Sequence, residues 1–424
     1  MRGGRDARDG RQQGSPPRIA TVLLLPGLVA CLAFVELPSP RPAFASGLVV
    51  PAAGSADAAV AGTSIAEPLT PLGAQLSNPA GLAGFEDRQI GGGLGLAFGK
   101  GVVTATMPEG YQATNNVTVP FLESFLAVPW KRFTFGLSTM GTSGAKFQYG
   151  ARPGLGVDDG FYSESGVMSV PAGFGFRVTD QLWVGAQLSL LYGTTHLRYS
   201  KEVAEYPGAA TPFHYSVSGF GLQGALGVTW KPLEDWSFGL SYKPPGKIWA
   251  DGDSRINPTT KQDVEIDLNA PQEAAVGVTH TMWTRWKASY AYRFIDTSRL
   301  RDSYFHFQKT PSANSPFLPA ARDEHRHAIG LQYAWSESLT MLGGFAKANG
   351  IVGDKGISPM SYDSRDLRLT AGLRWLDESW IVDGTFGYLF AGDRHVSPQD
   401  ALVFPGKYDS RPAYLLSVTI TRKF

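Results

Sequence analysis

Period-two alternation of apolar and polar residues recurs along most of this chain. Between Gln181 and Tyr192, Leu182, Val184, Ala186, Leu188, Leu190 and Tyr192 share one face, and Gln181, Trp183, Gly185, Gln187 and Ser189 the other. The same pattern sets Trp286, Ala288, Tyr290, Tyr292 and Phe294 against Arg285, Lys287, Ser289 and Arg293, and Leu367, Leu369, Ala371, Leu373 and Trp375 against Arg368, Thr370, Gly372 and Arg374. Successive side chains of a strand point to opposite faces, so these stretches predict strands with one apolar face. Fourteen are expected: 88–100, 117–128, 132–139, 166–177, 181–198, 214–230, 235–248, 263–280, 284–296, 325–335, 339–347, 365–375, 380–393 and 413–424.

The connections decide what the strands build. Short linkers (Pro129 to Lys131, Val178 to Asp180, Lys231 to Glu234, Thr281 to Trp283, Ser336 to Ser338, Leu376 to Ser379) alternate with long polar ones such as Met140 to Ser165 and Thr297 to Glu324. A soluble sandwich has no reason to sort its loops by length. An all-β, 14-stranded antiparallel transmembrane barrel does, with tight periplasmic turns, long outer loops and an apolar outer face. The last strand fits: Tyr414, Leu416, Val418, Ile420 and the terminal Phe424 share a face, with Arg422 placed to snorkel near the end. Lipid offers backbone groups no hydrogen bonds, so such a sheet must close on itself.

Residues 1–45 read as a cleaved signal peptide. Arg2, Arg5, Arg8, Arg11 and Arg18 precede an apolar stretch from Ile19 to Val35, and Ala43-Phe44-Ala45 is an A-x-A cleavage signal. Cleavage there removes Cys31, so no disulfide can staple the mature protein. It also changes 38 basic and 37 acidic residues to 32 and 34, and with no basic patch nucleic acid is not an expected partner. Residues 46–87 precede the barrel, which occupies 88–424. Fourteen strands enclose more space than inward side chains fill, so residues 46–87 are expected to plug the lumen as a hatch.

"AFASGL" at the cleavage junction, "SNPAGLAGF" at the end of the N-terminal segment, "HAIGLQYAWSESLTMLGGFAKANGIVGDKGISP" from His327, and "DLRLTAGLRW" followed by "VDGTFGYLF" occur in that order. With these the mature chain resembles the FadL family of outer-membrane transporters for long-chain fatty acids and other hydrophobic compounds. The resemblance implies a barrel with an internal hatch. Ligand would be captured at outer loops, pass to an apolar pocket beside the hatch, and leave through a lateral gap in the wall as the hatch moves. It implies a bacterial outer-membrane protein with both termini periplasmic, acting as a monomer among outer-membrane lipids, with no cofactor, no metal and no catalysis. Loops that would build a capture groove carry no residue-level match, which leaves the ligand open between a fatty acid and an aromatic hydrocarbon.

Asn78, Pro79, Ala80 and Gly81 carry over as the hatch and gating element. Pro79 fixes its own φ and drives Asn78 out of helical geometry, and Gly81 permits a sharp turn. Val119, Phe121 and Phe125 are expected to face inward with Glu123 and to line an apolar tunnel, unlike the polar lumen of a porin. Arg285, Lys287, Arg368, Arg374 and Asp383 project inward by parity, either holding a ligand carboxylate or forming interior salt bridges. Pro120 and Pro171 each remove a ladder donor, at a break in the wall or at a strand end.

Gly219 to Gly224 spells G-x-G-x-x-G, but within a strand pattern and with no helix after it, so nucleotide binding is not expected. His325 and His327 are read as loop histidines rather than metal ligands. The alternatives to hydrophobic uptake are a general diffusion porin and an outer-membrane lipid hydrolase, although no nucleophile elbow is present.

Overall fold

The computed structural model describes residues 52–106, 112–150, 160–203, 206–256, 260–357, 366–390, 392–398, 405–410 and 412–424. The expected signal segment lies outside them. Fourteen barrel strands follow in chain order: β1 (Gln89–Ala105), β2 (Gln112–Trp130), β3 (Phe133–Tyr149), β4 (Phe161–Arg177), β5 (Leu182–Val203), β6 (Tyr206–Leu233), β7 (Trp236–Lys243 and Gly246–Ile256), β8 (Thr260–Ala270 and Glu273–Met282), β9 (Trp286–Ile295), β10 (Glu324–Ala334), β11 (Leu339–Ala348), β12 (Asp366–Leu376), β13 (Trp380–Phe390) and β14 (Ala413–Lys423). Each pairs antiparallel with its sequence neighbours. The seam closes between β1 and β14, from Gln89 opposite Lys423 to Phe98 opposite Tyr414.

Alternation places the apolar faces outward. Leu222, Leu226 and Trp230 of β6, Leu369 and Leu373 of β12, and Leu416, Val418 and Ile420 of β14 are exposed. On β6 this band runs from Phe220 to Trp230, about 33 Å along a strand and about 25 Å deep at the usual barrel tilt. Trp130, Trp283 and Trp335 stand at the short-turn end, where amphipathic rings suit a lipid–water boundary. The Arg422 guanidinium lies 4.8 Å from the ring centre of Trp380 and 5.6 Å from that of Phe424. No helix among the described residues is long and apolar enough to cross a membrane.

The strands outrun the sequence expectation at the loop end. Residues 140–149 and 161–165 were expected in a loop, yet β3 and β4 pair as far as Tyr149 opposite Phe161. Beyond the lipid-facing band the ladder continues with a polar outer face while Phe147, Tyr149 and Phe161 are buried on the other, so the outward hydropathy that marks the membrane strands ends there. The connection after β9 is also ordered: Tyr304–Phe307 continues the sheet beside β8, with Phe305 opposite Ile266.

Among the described residues two places depart most from a continuous wall, besides a short gap between β3 and β4 at Ser138 and Thr139. Pairing of β2 with β3 runs only from Trp130–Phe133 to Ser124–Thr139, and above it the two strands part. Between β6 and β8 the second interruption falls at Pro244, Pro245, Pro271 and Gln272, which separate the two halves of β7 and of β8.

Inside the barrel, residues 52–88 form the short helices α1 (Ser55–Ala59) and α2 (Pro71–Ser77), then a 3₁₀ helix, Pro79–Gly84. Nearly all of this segment is buried.

Candidate functional site

Local chemistry shapes the hatch. Thr70 caps α2, its Oγ1 accepting from the Gly73 amide at 2.9 Å, and Pro71 occupies the first helical position, where no N–H is needed. The Asp57 carboxylate accepts from the Leu69 amide at 2.9 Å and from Thr70 Oγ1 at 2.5 Å, tying α1 to the start of α2. Complete burial pushes the Asp57 carboxyl above its ordinary range, and these hydrogen bonds only partly offset it.

Asn78 joins hatch to wall. It is fully buried, in extended geometry, and its Oδ1 accepts from the Ala80 amide, which starts the 3₁₀ helix at Pro79. Its Nδ2 lies 2.8 Å from the carbonyl of Ile65, 3.1 Å from that of Val228 and 3.1 Å from Thr229 Oγ1. Gly227 on β6 and Gly185 on β5 make this approach possible: a Cβ on either would collide with Asn78 or with the Pro79–Ala80 backbone. Ala80 packs with Ala83 against Trp183, and Gly81 lies against the Pro68 ring.

Further ties ring the hatch. The Gly54 amide donates to Glu123 at 2.9 Å, and the Ser55 amide to Thr419 Oγ1 at 3.0 Å. Thr370 Oγ1 donates to the Ala59 carbonyl at 2.7 Å. Glu67 lies 2.9 Å from Lys287 and 3.6 Å from Lys231. Burial acts to raise the Glu67 pKa, but the two ammonium groups outweigh it and hold the carboxyl below its ordinary range.

A cavity of about 120 Å³ lies between hatch and wall. Leu76, Met140, Leu191, Ile248 and Leu268 give it an apolar body, and Gln75 and Gln187 line its hatch side. Lys243 and Glu273 are its charged members among the described residues. Glu273 lies 3.3 Å from Lys243 Nζ and 2.5 Å from Arg293 Nη1, so two cations share one carboxylate. A second cavity, of about 210 Å³, lies at the short-turn end around Glu67, Lys231, Lys287 and Arg374.

Val119, Phe121 and Phe125 do not line the first cavity. Val119 and Phe125 are buried, the Phe125 ring packing on Ala53, Leu72 and Leu76 of the hatch and on Met140; the Phe121 ring covers Gly95 of β1. Lys287 meets Glu67, and Arg374 grips Asp383 through two bonds of 2.7 and 3.0 Å. Arg368 is buried on β12. Arg285 departs from its expected inward position: it is exposed in the turn after β8, because β9 begins only at Trp286.

Gln75, Gln187, Lys243 and Glu273 were missed by the sequence reading. A long polar side chain among the small and apolar residues of the helix PLGAQLS was the available signal for Gln75.

Gln75 stands next to the first wall interruption, at a gap in the adjoining β3–β4 ladder. Its Nε2 donates to the Pro171 carbonyl at 3.0 Å, and its Oε1 accepts from Ser138 Oγ, where β3 and β4 lose direct pairing. Pro120 lies on the part of β2 that no longer meets β3, while still opposite Leu96 of β1. Gly219 to Gly224 is strand, paired with β5. His325 and His327 face outward, with Nδ1 atoms 2.8 Å from the hydroxyls of Tyr292 and Tyr290. No group of His, Cys, Asp and Glu among the described residues is arranged to hold a metal ion.

Among solved structures, a Pseudomonas aeruginosa FadL homologue superposes with a TM-score of 0.75 at 18% identity, covering 89% of this chain and 100% of that one. The toluene transporter TodX of P. putida gives 0.71 at 18% identity, covering 88% and 99%. The Ralstonia pickettii toluene transporter TbuX gives 0.69 at 20%, covering 88% and 98%. At these identities the likeness concerns the fold. No curated protein matches the sequence. The family model of the outer membrane protein transport proteins (OMPP1/FadL/TodX) matches residues 41–424, and with a closed fourteen-stranded barrel around a docked hatch, the chain belongs to that family of outer-membrane transport proteins.

Proposed function

We propose that this chain is a passive outer-membrane channel for hydrophobic small molecules, without catalysis. The observation that carries the reading is the apolar cavity held between the hatch and the wall. Burying apolar surface there is worth about 25 cal/mol per Å², which concentrates a sparingly soluble ligand without committing it irreversibly. The short-turn end faces the periplasm with both termini, and the connection after β9 covers the cavity from outside through Leu300 and Phe317.

A long-chain fatty acid is the ligand class favoured over a neutral hydrocarbon. Lys243 and Arg293 together carry one positive charge more than Glu273 neutralises, and Lys243 borders the cavity, so a carboxylate is matched there by a charge-assisted hydrogen bond. Release is lateral, between β2 and β3 above Ser124 and Thr139. Gln75 bridges the gap in the neighbouring β3–β4 ladder while the hatch is docked, so hatch movement frees β3 beside the opening.

Vesicles containing the purified protein should take up oleate faster than empty vesicles, and toluene more weakly. Uptake of neither would overturn the reading. Rapid entry of hydrophilic sugars instead would make the protein a general diffusion porin.

A further inference from the structure

We propose that the wall holds a second lateral portal, at the height where the β6–β7 and β7–β8 ladders are interrupted together. Pairing of β6 with β7 stops at Leu226–Tyr242 and resumes at Leu222–Lys247, one residue out of register. Pairing of β7 with β8 stops at Lys243–Glu273 and resumes at Gly246–Ala270. A β-bulge disturbs one pair of strands at one residue; here the ladders on both sides of β7 fail at the same level. Pro244, Pro245 and Pro271 have no N–H, so direct pairing cannot be restored through them.

One side chain bridges the break. Gln223 Nε2 lies 3.0 Å from the Pro244 carbonyl and 2.9 Å from the Pro271 carbonyl, standing in for backbone bonds with a group that can rotate away. Gln223, Gly224, Lys243, Pro271 and Glu273 belong both to the interruption and to the lining of the cavity. Outside, exposed Leu226, Tyr242 and Trp249 flank the break, which places it within the lipid-facing band. Gly224 tolerates a side chain over the break: an added Cβ would make ordinary contact, at 3.8 Å, with the Pro244 ring and the Gln187 carbonyl.

Above the break the outer half of β8 pairs with Tyr304–Phe307 instead of β9, and Phe213, Tyr215, Ile266, Phe305 and Phe307 form a separate apolar cluster. The outer parts of β6 to β8 thus share an apolar cluster of their own while β6 stays laddered to β5, and the portal lies beneath that cluster. It exchanges apolar or single-headed amphipathic molecules between the cavity and the surrounding lipid.

The portal rests on the reading of the cavity as the ligand chamber, so its test separates the two. Gly224→Trp fills the window and Gln223→Leu removes the bridge. In vesicles, oleate transfer should fall several-fold in the first variant and rise in the second, while both keep the heat-modifiable gel mobility of a closed barrel. In parallel, the full chain with Ala270→Cys, on the inward face of β8 and lining the cavity beside the break, should react with a pyrene maleimide dissolved in the bilayer at a rate approaching that of lipid-facing Leu226→Cys. Failure of the unaltered protein to transfer oleate would sink the uptake reading itself. Transfer left unchanged by Gly224→Trp, or Ala270→Cys shielded from the bilayer probe, would overturn the portal and leave a sealed kink. If Gly224→Trp does not assemble, the labelling result decides.

Discussion

Asn78 occupies the space that a side chain at Gly227 would need, so the hatch and β6 are matched at that point. Three acceptors surround the Asn78 amide and none lies near water. Asn78→Ala leaves them short of a donor and should cost about 1–3 kcal/mol of hatch docking. Ion conductance in planar bilayers should rise while barrel assembly is unchanged. Gly227→Ala should give the same leak by displacing Asn78. Quiet membranes with both variants would reduce SNPAGLAGF to an ordinary turn.

Glu67 makes docking depend on acidity. Its carboxyl titrates below the ordinary value of 4.5 because Lys287 and Lys231 outweigh its burial. At this group the docked state therefore binds fewer protons than the undocked one, opposite in sign to Asp57, whose carboxyl burial raises. The Glu67 contribution is complete above that ordinary value and is lost as pH falls through the docked-state pKa. Conductance should be low at neutral pH and grow below about pH 4.5. Glu67→Gln should leak at neutral pH and lose most of this dependence.

Removing the plug outright gives the upper limit of such leaks. A chain lacking Ser46 to Glu86 should still insert as a barrel and conduct ions as an open, unselective pore. Unchanged conductance would mean that the segment does not obstruct the lumen.

Lys243→Met separates the two ligand classes. Glu273 keeps Arg293 as its partner, so the wall survives the change. Loss of a charge-assisted hydrogen bond should weaken oleate transfer about tenfold or more. Toluene transfer should be unaffected; equal loss of both would point to damage to the cavity itself.

The barrel was legible because lipid enforces a simple rule: every outward position must be apolar. Leu369, Leu373 and Trp375 announce that face in sequence, and all are exposed on β12. Where lipid ends the rule ends, which is why β3 reads eight residues long and runs instead from Phe133 to Tyr149. The site was less legible. Phe125 was placed on the correct face, yet its ring meets the hatch, since parity gives direction but not height along the lumen. Arg285 failed for the opposite reason: parity was carried past a strand end into a turn. Gln75 and Gln223 act where ladders are missing, and which ladder is missing depends on three or more strands at once. Neighbouring letters do not encode that.

Ser55 Oγ and its amide hold Ser417 and Thr419 of β14, 364 residues away for the amide contact. A segment that precedes the whole barrel in the chain thus fastens its fourteenth strand. Plug insertion and the meeting of β1 with β14 become a single late event of very high contact order, which slows folding and exposes unpaired edges until it is complete. Chains shortened at the C-terminus lose both the final strand and part of the socket for α1, so truncation there should be felt at the opposite end of the molecule.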